Sequence, residues 1–282
     1  MSAPAPAARR ERSSSLGKDV TQRQMGSPMT SALELVGVSK SFGGLKVIDD
    51  ASFAVKRGSR TALIGPNGAG KSTLFNLISG VYPLDAGRII ALGSDITDMS
   101  VPKRIGHGIA RSFQNIRLMP HLSTLENVML GEHHRASSLA LARGAHASAN
   151  ARAVLAEAGL GTYPGQVVAD LPFGIQKRIE VARAIMARPA ILLLDEPAAG
   201  LNSGETADLR RMLERLSDSG ITLLVVEHDM PFVRTLCDHV VVLNFGRKIF
   251  EGTPEEVHRD PGVLEAYLGP AAEQAGGAAH AA

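Results

Sequence analysis

The feature that most constrains this chain is the run Gly65–Ser72, which reads Gly-Pro-Asn-Gly-Ala-Gly-Lys-Ser. It fits the pattern G-x-x-x-x-G-K-[ST], in which a glycine-rich turn presents backbone N–H groups to phosphate oxygens. The apolar run Thr61–Ile64 before it predicts a buried strand. From Ser72 the sequence predicts a helix to about Ser79, ended by Gly80, whose positive N-terminus faces the phosphates. These residues predict a nucleoside triphosphate site.

Individual positions of this loop have distinct expected roles. Lys71 places a point charge against the β- and γ-phosphates, and the Ser72 hydroxyl is a ligand for Mg²⁺. The positions predicted to contact the nucleotide here are Gly65, Pro66, Asn67, Gly68, Ala69, Gly70, Lys71, Ser72 and Thr73.

Two further apolar runs end in polar side chains that complement a phosphate loop. Ala190–Leu194 leads to Asp195 and Glu196. Asp195 can hold Mg²⁺ through water, and Glu196 can polarise the attacking water. Ile221–Val226 leads to His228, at the carboxyl end of a predicted parallel strand, where a γ-phosphate can be reached. These side chains predict a site that hydrolyses the bound nucleotide.

The remaining patterns predict an α/β fold in which helices are inserted into a β-rich frame. Leu33–Phe42 and Lys46–Val55, separated by Gly43-Gly44, predict a β-hairpin. Phe42 at its tip either stacks on an adenine ring or belongs to the hairpin core. Residues 98–175 predict an inserted helical subdomain.

The composition of the chain indicates the character of its two ends and the kinds of partner that it favours. Residues 1–31 are rich in Ala, Pro, Ser and Arg, and residues 270–282 are mostly Ala and Gly, so both are expected to be disordered. Met25 and Met29 are alternative starts to Met1. The net charge of +2 gives no indication of a nucleic-acid partner. No run approaches the roughly 18 apolar residues of a membrane span.

In their order these motifs resemble the ATP-binding subunits of ABC transporters over residues 32–269. Residues 65–73 are similar to the Walker A loop of that family, 191–197 to Walker B and 199–202 to the D-loop. The resemblance implies ATP and Mg²⁺ as cofactors, Gln114 in the sequence RSFQ as the Q-loop glutamine in catalysis and metal binding, His228 as the switch histidine and Phe42 as the adenine-stacking aromatic. It also implies a P-loop fold with an antiparallel β subdomain and an inserted helical subdomain.

The signature motif departs from the family's usual LSGGQ. Leu171-Pro172-Phe173-Gly174-Ile175-Gln176 stand in its place, before a helix expected over Arg178–Ala187. By resemblance, Leu171, Gly174 and Gln176 contact ATP. Pro172 removes the serine hydroxyl and a backbone N–H. This form of the signature resembles the one found in branched-chain amino-acid importer ATPases. The segments DEPAAGLN (195–202) and EAYLG (265–269) resemble the same subgroup.

The resemblance also implies how the protein works in the cell. Two ATPase subunits, identical or related, form a head-to-tail dimer whose helical subdomains dock on two transmembrane permease subunits. A periplasmic or extracellular solute-binding protein acts indirectly. The subunit is then peripheral at the cytoplasmic face of the plasma (inner) membrane and powers import of a small solute, such as branched-chain or other hydrophobic amino acids. A lipid or lipopolysaccharide export ATPase and a non-transport ABC ATPase are the alternatives.

Overall fold

The computed structural model describes residues 31–112, 116–135 and 140–268. Several sequence predictions therefore fall wholly or partly outside the described residues, among them the N-terminal extension before Ser31, Gln114, residues 136–139 of the helical subdomain, and the tail 270–282. Ser31, assigned to the extension, is the first residue of a strand. Across the described ranges, no helix combines the length and the apolar character needed to cross a membrane.

The described strands form two sheets. In chain order they are β1 (Ser31–Phe42), β2 (Leu45–Lys56), β3 (Arg60–Ile64), β4 (Ala86–Ala91), β5 (Ser94–Asp95), β6 (Ile109–Arg111), β7 (Ile191–Asp195), β8 (Thr222–Val226), β9 (His239–Asn244) and β10 (Arg247–Gly252). A four-stranded antiparallel sheet has the order β2-β1-β4-β5, and a six-stranded sheet has the order β10-β9-β3-β8-β7-β6.

Helices run between these strands, and some of them pack on the six-stranded sheet. They are α1 (Lys71–Ser79), α2 (Val101–Gly106), α3 (Thr124–Met129), α4 (Ala140–Glu157), α5 (Phe173–Ile185), α6 (Ser203–Asp218), α7 (Met230–Leu236), α8 (Pro254–Val257) and α9 (Pro261–Leu268). Short 3₁₀ turns occupy Leu130–Arg135 and Val168–Asp170.

The six-stranded sheet sets the position of the candidate site. β9, β3, β8, β7 and β6 are parallel, and only β10 pairs antiparallel within it. β7 and β8 are buried at every position, as expected for parallel strands with both faces covered. Leu192 lies in one core cluster and Leu193 in the other, so alternate residues pack on opposite faces. The loops after β3, β7 and β8 therefore meet at one edge.

Most local predictions agree with this architecture. β1 and β2 form the predicted hairpin through Gly43-Gly44, and β9 and β10 form another. α1 ends at Gly80, whose φ of 81° is in the left-handed region that glycine tolerates. α6 begins with a capping box, in which Asn202 Oδ1 accepts from the Glu205 N–H and the Glu205 carboxylate accepts from the Asn202 N–H. These features depend on residues close in sequence.

The predicted start of the helical subdomain at residue 98 is wrong. β6 lies inside the range 98–175 but pairs in parallel with β7 as the edge strand of the six-stranded sheet. A strand of three residues is too short to produce a recognisable alternation. Within the described residues that follow it, α3, α4 and α5 contact one another and make up the helical part.

Candidate functional site

The loop between β3 and α1 folds as a phosphate cradle. Gly65, Gly68 and Gly70 have φ values of 151°, 80° and 101°. A Cβ on Gly65 would lie 2.1 Å from the Leu243 carbonyl oxygen, and one on Gly70 would lie 2.7 Å from Ile48 Cδ1. Strands β9 and β2 therefore approach the loop so closely that only glycine fits at its two ends. The Ala69 N–H closes the turn by donating to the Pro66 carbonyl at 3.2 Å, and a tight glycine-rich turn of this kind can present backbone N–H groups to an anion.

Lys71, the first residue of α1, lies inside this loop. Its Nζ donates to the carbonyl oxygens of Gly65 at 2.6 Å and Pro66 at 2.9 Å. Burial lowers the pKa of Lys71 from its ordinary value, and the charges of Glu196 and Asp195 oppose that shift. The ammonium group is thus positioned between the loop and the acidic pair, where phosphate oxygens would replace the carbonyl contacts.

We expect Lys71→Ala to weaken ATP binding by about tenfold or more, since a hydrogen bond to a charged group contributes roughly 1.5–3 kcal/mol. Isothermal titration with ATP measures the affinity. Lys103→Ala, which removes an exposed lysine from α2, is the matched control and should bind normally. Equal affinities of the two variants would exclude the phosphate contact.

Asp195 is fixed by an arginine that the sequence analysis missed. Arg111, the last residue of β6, contacts Asp195 Oδ2 at 2.7 Å through one terminal nitrogen and donates to Asn76 Oδ1 at 2.6 Å through the other. Its guanidinium lies 5.6 Å from the centre of the Phe75 ring. Arg111 therefore ties the end of β7 to α1, which carries Ser72. Its position on the edge strand beside β7 was not predictable from spacing.

Glu196 and His228 face each other at the carboxyl edge of the sheet. His228 Nδ1 lies 3.8 Å from Glu196 Oε1. The Glu196 N–H donates to the Val226 carbonyl at 2.9 Å, and its φ of 45° is in the left-handed region, which is strained for a glutamate. The His228 side chain is 63% exposed and the Glu196 side chain 23%. A carboxylate and an imidazole thus stand where a water molecule and a phosphate can reach them.

Buried Glu227 holds this edge together. Its carboxylate accepts hydrogen bonds from the N–H groups of Ala198 at 2.9 Å and His228 at 3.2 Å. Burial raises the pKa of the Glu227 carboxyl, and these hydrogen bonds oppose the shift. Glu227 connects the loop that follows Glu196 with the turn that carries His228. Glu227 was not among the site residues predicted from the sequence.

Phe42 lies at the tip of the β1–β2 hairpin and is 41% exposed. Its ring meets Tyr82 edge to face, with centroids 5.2 Å apart, and Lys40 Nζ lies 5.4 Å from the ring centre. The ring is therefore partly packed and partly accessible. Stacking of Phe42 on adenine stays a prediction, and Tyr82 is an aromatic neighbour that the sequence analysis missed.

The signature segment forms the first turn of α5. This helix begins at Phe173, before the predicted Arg178, and Pro172 is its N-cap without a side-chain hydrogen bond. Gly174 is buried, and its N–H donates to Glu205 Oε1 at 3.2 Å. Gln176 Nε2 donates to the carbonyl of Leu171, itself buried, at 2.8 Å. The structure thus places the three predicted residues of this segment together at one helix N-terminus.

The predicted metal ligands have the chemistry that Mg²⁺ requires. Ser72 supplies an exposed hydroxyl in the first turn of α1, and Asp195 supplies a carboxylate at the end of β7. Both are hard oxygen donors. Gln114, the third predicted ligand, lies outside the described residues, so its distance to the other two is not assigned.

A family model described as ABC transporter matches residues 48–199, which is more than half of the chain. The chain belongs to the ABC transporter ATP-binding family. A second model, described as branched-chain amino acid ATP-binding cassette transporter, matches residues 247–269 of this ABC subunit.

Curated relatives and solved structures agree with this membership. The branched-chain amino acid transport ATP-binding protein BraF of Pseudomonas aeruginosa is 38% identical over 85% of this chain and 98% of its own length. A nucleotide-free ATP-binding cassette of an ABC transporter superposes with a TM-score of 0.77 at 31% identity, over 85% of this chain and 99% of its own. A dimeric post-hydrolysis cassette bound to ADP and Pi has a TM-score of 0.69 at 25% identity, over 79% and 98% of the two chains.

These comparisons confirm the predicted resemblance to branched-chain amino-acid importer ATPases and the predicted P-loop fold of the ABC type. They also confirm that the protein is an ATP-binding ATPase of this family. The roles of individual residues in that activity are predictions that the comparisons do not address.

Proposed function

We propose that this ABC ATPase powers the import of branched-chain or other hydrophobic amino acids. The observation that carries the proposal is the match of residues 247–269 to the branched-chain model, at the opposite end of the chain from Walker A. The relative BraF, described as a branched-chain amino acid transport ATP-binding protein, supports the same class of substrate. Because that C-terminal segment lies outside the catalytic motifs, the similarity is not merely a consequence of shared ATP chemistry.

ATP is held in this proposal between two subunits arranged head to tail. The loop with Lys71 binds the phosphates from one side, and the N-terminus of the partner's helix equivalent to α5 approaches from the other. Glu196 accepts a proton from the attacking water, and His228 contacts the γ-phosphate. Ser72, Gln114 and Asp195 hold Mg²⁺, which neutralises phosphate charge when bound. The dimeric relative bound to ADP and Pi supports the dimer of this proposal.

A groove beside the helical part supports docking on a membrane permease. It is lined by side chains from several elements, including Ile105, Met119, Leu130, Arg183 and Ala187. Met119 is 49% exposed, although it is large and apolar. The subunit would then be peripheral, at the cytoplasmic face of the plasma (inner) membrane, with an external solute-binding protein contacting only the permease pair.

Reconstitution tests the proposed function directly. Where the neighbouring genes encode two permeases and a solute-binding protein, the ATPase is co-expressed with those permeases, purified as a complex and placed in proteoliposomes with that binding protein. Leucine, isoleucine or valine with that binding protein should stimulate ATP hydrolysis and accumulate in the vesicles. Stimulation by lipopolysaccharide instead would favour the export alternative, and failure to associate with any permease would favour a non-transport ATPase.

We expect Pro172→Ser to change ATPase activity by less than about tenfold, equal to 1.4 kcal/mol. The backbone N–H of Gly174 and the helix N-terminus exist whichever side chain stands at position 172. The serine would also cap α5, adding about 1 kcal/mol of stability, so the midpoint of thermal unfolding should rise by a few degrees. Pro172→Ala, which lacks the hydroxyl, is the control. A larger change in activity would show that Pro172 itself sets the rate.

A further inference from the structure

The carboxylate of Glu205 joins the N-termini of two helices. Its Oε2 accepts from the Asn202 N–H at 3.1 Å, as the capping box of α6 requires. Its Oε1 accepts from the Gly174 N–H in α5 at 3.2 Å. A Cβ on Gly174 would lie 2.6 Å from Glu205 Cδ, so the carboxylate is packed directly against this backbone. The Glu205 carboxylate therefore accepts the hydrogen bond that the Gly174 N–H could otherwise donate to a bound anion.

Capping alone does not explain the second contact. Two other capping boxes in the described part of the chain use Glu126 and Glu256. Glu126 accepts from the backbone and hydroxyl of Ser123, and Glu256 accepts from the backbone of Thr253. Both serve their own helix. Glu205 contacts α5 because of its position next to that helix, and the capping box itself does not require this contact.

The N-terminus of α5 has no other negative group of its own. Its N-cap, Pro172, makes no side-chain hydrogen bond, and the first turn of the helix contains no acidic residue. Because the N-terminus of a helix carries a partial positive charge, a carboxylate is stabilised there. Glu205, which comes from α6, supplies that charge in the single subunit.

We propose that Glu205 is a resident anion that must release the Gly174 N–H before the γ-phosphate of ATP on a second subunit can bind it. This inference rests on the head-to-tail dimer of the proposed function. On closure, the Gly174 N–H exchanges a carboxylate acceptor for a phosphate oxygen, while Glu205 keeps its bond to Asn202. The negative charge stays close to the incoming phosphate and opposes it. Glu205 therefore raises the ATP concentration at which the dimer closes.

The test compares Glu205→Gln with its parent, both carrying Glu196→Gln to slow hydrolysis. Glutamine keeps the size of the side chain and can still accept a hydrogen bond, but it lacks the charge. ATP-dependent dimerisation is followed by analytical ultracentrifugation. Half-maximal dimerisation should need about fivefold less ATP, and this gain should shrink from about 0.05 to about 0.5 M salt, because salt screens charge repulsion.

Glu126→Gln in the same background is the matched control. It removes the charge from the capping box of α3, far in sequence from the signature segment, and should leave the ATP requirement unchanged. Thermal unfolding of both variants identifies any loss of folded protein. Glu205→Asp, shorter by one methylene but still charged, provides a second comparison and should gain less than Glu205→Gln.

The outcomes separate the two proposals. If the parent dimerises with ATP but Glu205→Gln needs as much ATP or more, Glu205 is only a capping residue and the inference is overturned. A gain that high salt does not reduce would overturn it as well. If the parent dimerises with ATP neither with itself nor with a related ATPase subunit, the head-to-tail arrangement is wrong and the inference falls with it.

Discussion

Glu196→Gln is expected to lower ATP turnover by about 10²-fold or more while ATP still binds, because a general base contributes roughly 10²–10⁴-fold. Glutamine reproduces the shape of the side chain but cannot accept a proton from water. The backbone geometry that aims this residue, a φ of 45° and the hydrogen bond to the Val226 carbonyl, does not depend on the carboxylate. The loss should therefore fall on the chemical step rather than on folding.

Turnover and binding must be measured on the same preparation. Steady-state phosphate release gives the rate, and titration with ATP gives the affinity. Glu214→Gln, which removes a carboxylate paired with Arg210 on α6, is the control and should hydrolyse ATP at the normal rate. If Glu196→Gln retained turnover within tenfold of the parent, Glu196 would not be the base, and His228 would be the next residue to test.

The parts of the fold that could be predicted depend on neighbours in sequence. β7 and β8 are continuous apolar runs because parallel strands in the middle of a sheet are covered on both faces. Gly80 ends α1 because its left-handed conformation suits glycine. The phosphate loop and the acidic pair follow from these elements, because loops at the carboxyl ends of parallel strands meet at one edge.

The contacts that organise the site depend on residues far apart in sequence. Arg111 and Asp195 are separated by 84 positions, Glu227 and Ala198 by 29, and Glu205 and Gly174 by 31. Periodicity along the chain indicates which face of an element is buried, but it does not indicate which distant side chain meets it. These three contacts became visible only once the strand order was known.

The predicted start of α5 was wrong for a different, local reason. A Pro-Phe-Gly sequence contains a helix-breaking pair and no serine, threonine, aspartate or asparagine to act as N-cap. The helix nevertheless begins at Phe173, with Glu205 from α6 accepting a hydrogen bond from its first turn. Tertiary contact thus supplies what the local sequence lacks, and this places Gly174 inside the helix rather than before it.

Gly174→Asp is expected to raise the ATP concentration needed for dimerisation by at least about 10²-fold, because like charges brought together at an interface cost several kcal/mol. Gly174 lies in α5 with an ordinary helical backbone, and aspartate is favourable in the first turn of a helix, so the subunit should still fold. The new Cβ displaces the Glu205 carboxylate, and two negative groups then stand at the approach of the partner's γ-phosphate. ATP binding by the variant's own Lys71 loop should be unchanged.

Charge can be separated from size at this position. Gly174→Asn has nearly the same volume as Gly174→Asp and meets Glu205 in the same way, but it is neutral. In the Glu196→Gln background, Gly174→Asn should dimerise at an ATP concentration much closer to that of the parent, whereas Gly174→Asp should not. Equal impairment of both would mean that packing against Glu205, rather than charge, decides closure. Normal dimerisation of both would mean that residues 171–176 do not face ATP, and this subunit would then need a partner that supplies the working signature.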